Sequence, residues 1–148
     1  PIRDSIMNVN WMRTTYSDKV YERLKDRAVI CTGVTIGSRK AIDQYLDEML
    51  KDTYANLHKI INLLGPDQAI HIRLCYEGLK GLDVQLESNG TGKIATLHFS
   101  RLTEFTLEGN RLENRKGAPL AVIHQYDRHP ALMNILQQGL MSGDAVAA

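Results

Sequence analysis

Near the end of the chain, the stretch VIHQYDRHP groups four side chains that can bind metals or phosphates or carry protons. His124, Asp127, Arg128 and His129 fall within six positions, directly after apolar residues and directly before a proline. An imidazole at a strand end can reach a divalent metal or a phosphate oxygen, and a guanidinium can neutralise a phosphate leaving group. The stretch therefore predicts a metal or phosphate site. The alternative is a hydrogen-bonded turn in which Asp127 pairs with Arg128 and the proline begins a helix.

These side chains do not follow a zinc-finger pattern. His124 and His129 are separated by four residues, Asp127 is the only acidic residue between them, and no cysteine or third histidine is nearby in the sequence. Structural zinc sites use four cysteine or histidine ligands at closer, paired spacings. A stand-alone metal-dependent hydrolase built on His124, Asp127 and His129 is a further alternative, and it requires a tight metal site within this chain alone.

A second candidate is the stretch CTGVTIGS, which runs from Cys31 to Ser38. Small residues such as Thr32 and Gly33 let backbone N–H groups approach a phosphate or a sugar that lies above a sheet edge. The stretch matches neither the Walker loop nor the dinucleotide fingerprint. The alternative is a tight connection whose glycines serve only the geometry of the turn.

The third candidate is Asp67, which follows Gly-Pro at a predicted helix start. A carboxylate at this position either caps the helix or faces a cleft, where it acts as a general base or binds an acceptor. His71 lies four residues later on the same helix face, so it would contact whatever Asp67 contacts. The alternative for His71 is a hydrogen-bonded residue of the core.

Hydrophobic periodicity predicts the helices that must position these residues. Residues 5–26 are typical of one or two short helices, with Asn10 and Ser17 as possible N-caps. Residues 28–31, AVIC, form a continuous apolar run that predicts a buried strand. Ser38 would cap a long amphipathic helix that Gly65 ends. The following helix begins at a proline and is apolar on most sides, which predicts burial.

From residue 83 onward the pattern changes to short alternating runs that predict strands. These runs are DVQLE, IATLHF, EFTLE and AVIHQY. A tight hairpin is expected around Gly109 and Asn110, and Pro130 would open a last helix.

Composition limits the class of protein. The chain has 148 residues, 43% of them hydrophobic and 24% charged, which suits one globular domain covering 1–148 or part of a catalytic domain. The net charge of +1 and the absence of Lys/Arg runs exclude nucleic acid as an expected partner. Cys31 and Cys75 are expected to be reduced and buried. No run has the length of a membrane span, and a cytoplasmic location is expected.

Taken in order, CTGVTIGSRKAIDQYLDEM, PDQAIH and VIHQYDRHP resemble the C-terminal half of GT-A-type glycosyltransferases, the nucleotide-diphospho-sugar transferases. The similarity covers about residues 8–136. It is greatest to a bacterial, algal and viral-type branch that ends in a similar His-Gln-Tyr-Asp segment. The resemblance implies an α/β fold, namely the C-terminal part of a Rossmann-like mixed sheet flanked by helices, with a β-hairpin and a C-terminal helix.

The resemblance also implies roles for the candidate residues. Residues 31–33 would lie near the donor sugar, and Asp67 would face the acceptor as a general base. His124 would hold a divalent metal, Mn²⁺ or Mg²⁺, together with the donor pyrophosphate, and Arg128 would neutralise the leaving group. The substrates would be a nucleotide-diphospho-sugar and an acceptor whose identity the resemblance does not indicate.

One departure from the family pattern affects the donor site. GT-A enzymes ligate the metal with an Asp-x-Asp pair in an N-terminal half, and no Asp-x-Asp occurs in this sequence. Because PIRDSIMNVNWM resembles the stretch that follows that half, the sequence is expected to start partway through the catalytic domain and to be inactive alone. The alternative is a non-catalytic binding or interaction module on the same half-fold, which would recognise a glycan or complete a partner chain.

Overall fold

The computed structural model describes residues 1–98, 102–109 and 111–141. Its fold is mixed α/β, as predicted, and the chain divides into two compact units, Pro1–Gln85 and Leu86–Ala148. The first unit contains α1 (Ile6–Thr15), α2 (Asp18–Leu24), α3 (Arg39–Ile60) and α4 (Pro66–Arg73). The second contains β1 (Ile94–Thr96), β2 (Thr106–Glu108), β3 (Arg111–Glu113), β4 (Val122–His124) and α5 (Pro130–Met141).

The two short N-terminal helices, α1 and α2, confirm the prediction for residues 5–26. Ser5, not Asn10, caps α1, because the Ser5 side chain accepts a hydrogen bond from the Asn8 amide at 3.5 Å. Ser17 precedes α2 as predicted, but its side chain makes no capping hydrogen bond. A buried core joins these helices to α4, and its members are Ile2, Met12, Tyr21, Leu24, Ala69 and Ile72.

The long amphipathic helix is present as α3. Ser38 caps it as predicted, accepting a hydrogen bond from the Ala41 amide at 3.3 Å. The helix ends at Ile60, four residues earlier than the sequence indicated. Gly65 instead precedes α4 in a left-handed conformation with φ of 82°. A side chain at this position would meet the Trp11 ring, since an added Cβ would lie 2.6 Å from Cζ2.

The buried strand predicted at residues 28–31 is wrong, because this segment has no regular structure, pairs with no strand among the described residues, and exposes Ala28 and Val29. Side chains satisfy its backbone instead. The Tyr76 hydroxyl donates to the Ala28 carbonyl at 3.0 Å, and the Gln68 amide donates to the Ile30 carbonyl at 2.7 Å. An apolar run of four residues therefore lies along the helices without forming a sheet.

The buried helix expected after the proline is confirmed as α4. Ala69, Ile70, His71 and Ile72 are all buried. The helix continues into a π-helical segment, Leu74–Gly78, whose wider turn the apolar pattern did not predict.

The second unit contains two small sheets. Strand β1 pairs with β4 in parallel, so that Thr96 lies opposite His124, and β2 pairs with β3 as the predicted antiparallel hairpin. Asn110 of the predicted turn and residue 99 of the IATLHF run lie outside the described residues. The strand predicted for DVQLE is wrong, because residues 83–87 have no regular structure.

The core of the second unit is formed by Ala95, Leu97, Phe105, Leu112, Leu120 and Leu132. Buried Asn114 links the loops around it. Its side chain donates to the carbonyls of Thr91 and Gly92 and accepts from the amides of Lys116 and Ala118.

Among the described helices, none combines the length and the apolar character that crossing a membrane requires.

Candidate functional site

The first unit brings two of the predicted stretches into contact. The hydroxyl of Thr32 lies 3.2 Å from Oδ2 of Asp67 and also 3.2 Å from Oε1 of Gln68. One hydroxyl hydrogen serves one acceptor at a time, so these two contacts alternate. The stretch that begins at Cys31 thus contacts the first turn of α4, which carries Asp67.

Gln68 adds two hydrogen bonds to this junction between Thr32 and the first turn of α4. Its Nε2 donates to the Ile30 carbonyl at 2.7 Å, and its Oε1 accepts from the Thr32 amide at 3.3 Å. The side-chain amide therefore pairs with the backbone on both sides of Cys31, much as a neighbouring strand would. This pairing fixes the backbone beside Asp67.

Asp67 is exposed and does not cap α4. The helix begins after Gly65, and its N-cap position makes no side-chain hydrogen bond. Oδ2 of Asp67 accepts from Thr32, and Oδ1 accepts no hydrogen bond from the described residues. Thr32 therefore orients the exposed carboxylate through one oxygen when it donates to Asp67, and the other oxygen keeps its lone pairs.

Cys31 and Gly33 lie beside this junction. The Gly33 amide points back to Sγ of Cys31 at 3.4 Å, and Gly33 is exposed. Cys31 is half-buried and carries a free thiol, so the prediction of a reduced cysteine holds and that of full burial does not.

His71 belongs to the core and not to the exposed face of Asp67. Its Nδ1 lies 2.8 Å from the Tyr45 hydroxyl, the two rings meet edge to face, and Sγ of Cys75 lies 3.7 Å from Nε2. Burial lowers the pKa of His71, although the charge of Asp67 opposes the shift. The alternative of a hydrogen-bonded core histidine is therefore what the structure contains.

The groups around His71 are also held in their neutral forms. Burial raises the pKa of the Cys75 thiol to about 11, so Cys75 is not a thiolate at neutral pH. Burial also raises the pKa of Tyr45, while a hydrogen bond from Thr35 opposes this. Since Thr35 belongs to the CTGVTIGS stretch, that stretch touches the α3–α4 pair at a second point.

The second unit holds the other predicted residues. His124 is half-buried at the end of β4, and its carbonyl accepts from the Leu97 amide at 3.0 Å. The next residue, Gln125, has φ of 59°, which places it in the left-handed region that non-glycine residues seldom adopt. Asp127 pairs with Arg128 at 3.6 Å, as the turn alternative predicts, and both side chains are exposed.

His129 has a structural contact. Its Nε2 lies 2.8 Å from the Leu97 carbonyl, and because a carbonyl only accepts, Nε2 must carry the proton. Pro130 then begins α5, as predicted. His129 therefore anchors the turn to β1 and cannot use Nε2 as a metal ligand in this arrangement.

The described residues do not by themselves make a metal centre. They contain no group of three histidine, cysteine, aspartate or glutamate side chains placed to hold an ion. His124 would supply a single ligand, so the predicted Mn²⁺ or Mg²⁺ needs ligands from elsewhere. The hydrolase alternative loses support, because Nε2 of His129 is engaged with the Leu97 carbonyl.

Comparison of the chain with family models, with curated proteins and with solved structures found no match.

Sequence reasoning missed one residue of the Asp67 junction, Gln68, and one partner of His71, Tyr45. Gln68 is adjacent to Asp67, and its two-ended amide was a signal that this helix start contacts another backbone. Tyr45 is half-buried on α3, and a tyrosine hydroxyl in such a place usually has a hydrogen-bond partner. Its partner proved to be His71.

Proposed function

We propose that this chain is part of a glycosyltransferase that moves a sugar from a nucleotide-diphosphate donor to an acceptor hydroxyl, with Asp67 as the general base. The observation that carries the proposal is the hydrogen bond between Thr32 and Asp67. It joins two of the three stretches on which the resemblance to GT-A enzymes rests. It also leaves an exposed carboxylate oxygen where an acceptor would approach.

The chemistry requires little of Asp67 beyond its position. The carboxylate takes the proton of the acceptor hydroxyl while the hydroxyl oxygen attacks the anomeric carbon of the donor. The bond from that carbon to the diphosphate breaks, and its electron pair leaves with the nucleoside diphosphate. When Thr32 donates to Oδ2, it orients the carboxylate and leaves the lone pairs of Oδ1 to accept the proton.

His124 and Arg128 are proposed to act on the diphosphate side. Arg128 is exposed and only loosely paired with Asp127, so its guanidinium is free to bind phosphate oxygens. Negative charge grows on these oxygens as the bond breaks, so a cation there stabilises the transition state more than the ground state. We propose no role for a divalent metal in the transfer, because the described residues do not complete a metal site.

The test is a donor screen with the natural protein as isolated from its source cells. The protein is incubated with a panel of nucleotide-diphospho-sugars in Mn²⁺ or Mg²⁺, and the release of nucleoside diphosphate is measured with and without a mixed glycan acceptor. The proposal predicts release from one donor, stimulated by acceptor. The 148-residue chain tested in parallel is predicted to release none.

Two results would contradict the proposal. One is that no donor in the panel binds or turns over. The other is that release occurs but Asp67→Asn turns over as fast as the unchanged protein. In either case the Thr32–Asp67 contact would be only a tertiary link between the loop and α4.

A second candidate function is a non-catalytic interaction module, and one observation favours it. Large apolar side chains along α3 are exposed, among them Leu50, Tyr54 and Ile61. Calorimetric titration of the chain with nucleoside diphosphates separates the two functions when combined with the donor screen. An interaction module predicts no heat of binding here and no turnover in the natural protein.

A further inference from the structure

Six large apolar side chains form an exposed stripe along α3 and the turn that follows it. Their exposed fractions range from 42% for Leu57 to 88% for Leu64. Members of this α3 stripe are Leu46, Leu50, Tyr54, Leu57, Ile61 and Leu64. The four members within α3 recur at steps of three and four residues, so they share one side of the helix, and Ile61 and Leu64 continue this spacing just beyond its end.

The α3 stripe is separate from the side of α3 that packs into its own unit. That inner side carries Tyr45, Met49, Asn56 and Ile60, which are buried or half-buried. A surface helix normally has one apolar face and a polar face opposite it. Helix α3 has a second apolar face, and apolar patches beyond a few hundred Å² usually mark an interaction site.

We propose that the α3 stripe is the interface of a symmetric homodimer in which the α3 helices of two copies pack antiparallel. The six side chains offer an area of the order of the 800 Å² that each partner contributes to a standard interface. A two-fold axis near Tyr54 would bring the same stripe of both copies together, since such an interface is self-complementary.

Charge along the edge of the α3 stripe favours the antiparallel orientation. Asp47 and His58 lie on the same edge, on either side of Thr53, and the charge of Asp47 also acts on Lys51 of its own helix. In an antiparallel pair, each Asp47 faces His58 of the other copy, whose ring N–H can donate to the carboxylate. A parallel pair would place Asp47 against Asp47, which is repulsive.

The first experiment measures the oligomeric state of the 148-residue chain by sedimentation between about 1 and 200 µM, a range chosen around the affinity of typical weak dimers. The unchanged chain is predicted to dimerise, and Ile61→Asp is predicted to raise the dissociation constant at least about 100-fold, because a charge enters the interface twice. Ile36→Asp is the matched control. Ile36 and Ile61 are 71% and 70% exposed, but Ile36 lies outside the α3 stripe.

The second experiment tests the orientation by disulfide cross-linking. Tyr54→Cys is predicted to cross-link to itself, since it lies near the axis. Leu46→Cys lies eight residues away, which separates the two copies by about 24 Å in an antiparallel pair. It should therefore not cross-link to itself. The unchanged chain, with only Cys31 and Cys75, measures the background.

Each outcome decides the proposal. A chain that stays monomeric over the whole concentration range overturns it and leaves the α3 stripe to another occupant. A dimer that survives Ile61→Asp places the interface elsewhere. Self-linking of Leu46→Cys without that of Tyr54→Cys overturns the antiparallel arrangement. A dimer weakened by Ile61→Asp and linked through Tyr54→Cys supports it.

Discussion

The hydroxyl of Thr32 lies 3.2 Å from Oδ2 of Asp67, although 35 positions separate the two residues in the chain. This contact fastens a loop without regular structure to the first turn of α4. Oδ1 of the exposed Asp67 side chain accepts no hydrogen bond from the described residues. The carboxylate is thereby oriented without being buried, which is the arrangement that a general base for an incoming hydroxyl requires.

Asp52 should be the most costly single charge to remove from the first unit. Its Oδ2 accepts from the Tyr16 hydroxyl at 2.5 Å and from Arg73 at 2.7 Å, and its side chain is only 11% exposed. Asp52→Asn leaves the partly buried Arg73 without its counter-ion. We expect a loss of about 2–4 kcal/mol in the free energy of unfolding.

Urea unfolding followed through the single tryptophan, Trp11, measures this loss in the first unit. Asp43→Asn is the control on the same helix. Asp43 pairs with Arg39 at 3.7 Å in solvent, and its loss should cost less than about 0.5 kcal/mol. Equal effects of the two substitutions would show that the Asp52 contacts carry no special stability.

Gly65 and Gly81 form a matched pair for the contact with Trp11. Both have φ of 82°, but an added Cβ at Gly65 would lie 2.6 Å from the Trp11 ring, whereas at Gly81 it would meet nothing within 4 Å. Gly81→Ala should cost about 1 kcal/mol from backbone strain alone. Gly65→Ala should cost about 2–4 kcal/mol, since overpacking adds to the strain. Urea midpoints of both variants test this, and equal losses would contradict the Trp11 contact.

His71 should make the first unit less stable in mild acid. Burial lowers its pKa below the ordinary 6.5, so between the two values the unfolded chain binds more protons than the folded chain. Its contribution is complete above about pH 6.5 and is lost as the pH falls through the lowered pKa of the folded state. The free energy of unfolding should therefore decrease from pH 7.5 to pH 5.

His71→Gln should remove part of that pH dependence. The unchanged chain is the reference for this slope. Trp11 fluorescence at a series of pH values gives both slopes. If His71→Gln and the unchanged chain have the same slope, His71 is not held neutral by burial.

Gln125 should be a strained position of the second unit. Its φ of 59° is favourable for glycine and costs other residues about 1–2 kcal/mol. Gln125→Gly should therefore stabilise the unit by up to about 1 kcal/mol, and Gln125→Val should destabilise it by a similar amount. Hydrogen exchange of the Leu97 amide, which bonds to the His124 carbonyl at 3.0 Å, reports the change. Slower exchange in the valine variant would contradict the strain.

The helices could be predicted from the sequence because their signals are local. Ser38, the periodic apolar residues of α3 and the Gly-Pro before α4 act within one or two turns. The structure of residues 28–31 could not be predicted from local signals, because an apolar run does not show which groups its backbone bonds to. Gln68 and Tyr76, distant in sequence, bond to that backbone in place of a neighbouring strand.

The candidate site was predictable by residue type and only partly by contact. Thr32 and Asp67 were selected separately. Their hydrogen bond depends on the tertiary fold, because α3 lies between them in the chain. His71 was expected to share the face of Asp67, but the burial of α4 turns it toward Tyr45. His129 shows the same difference, since its bond to Leu97 depends on the pairing of β4 with β1.

The most direct test of the central claim is the rate of sugar transfer by the natural protein carrying Asp67→Asn. We predict that kcat of this variant falls by at least about 100-fold, the usual contribution of a general base, while donor affinity is unchanged. Asp83→Asn, at an exposed carboxylate outside the site, should transfer at the unchanged rate. Equal rates for Asp67→Asn and Asp83→Asn would contradict the assignment of Asp67 as the base.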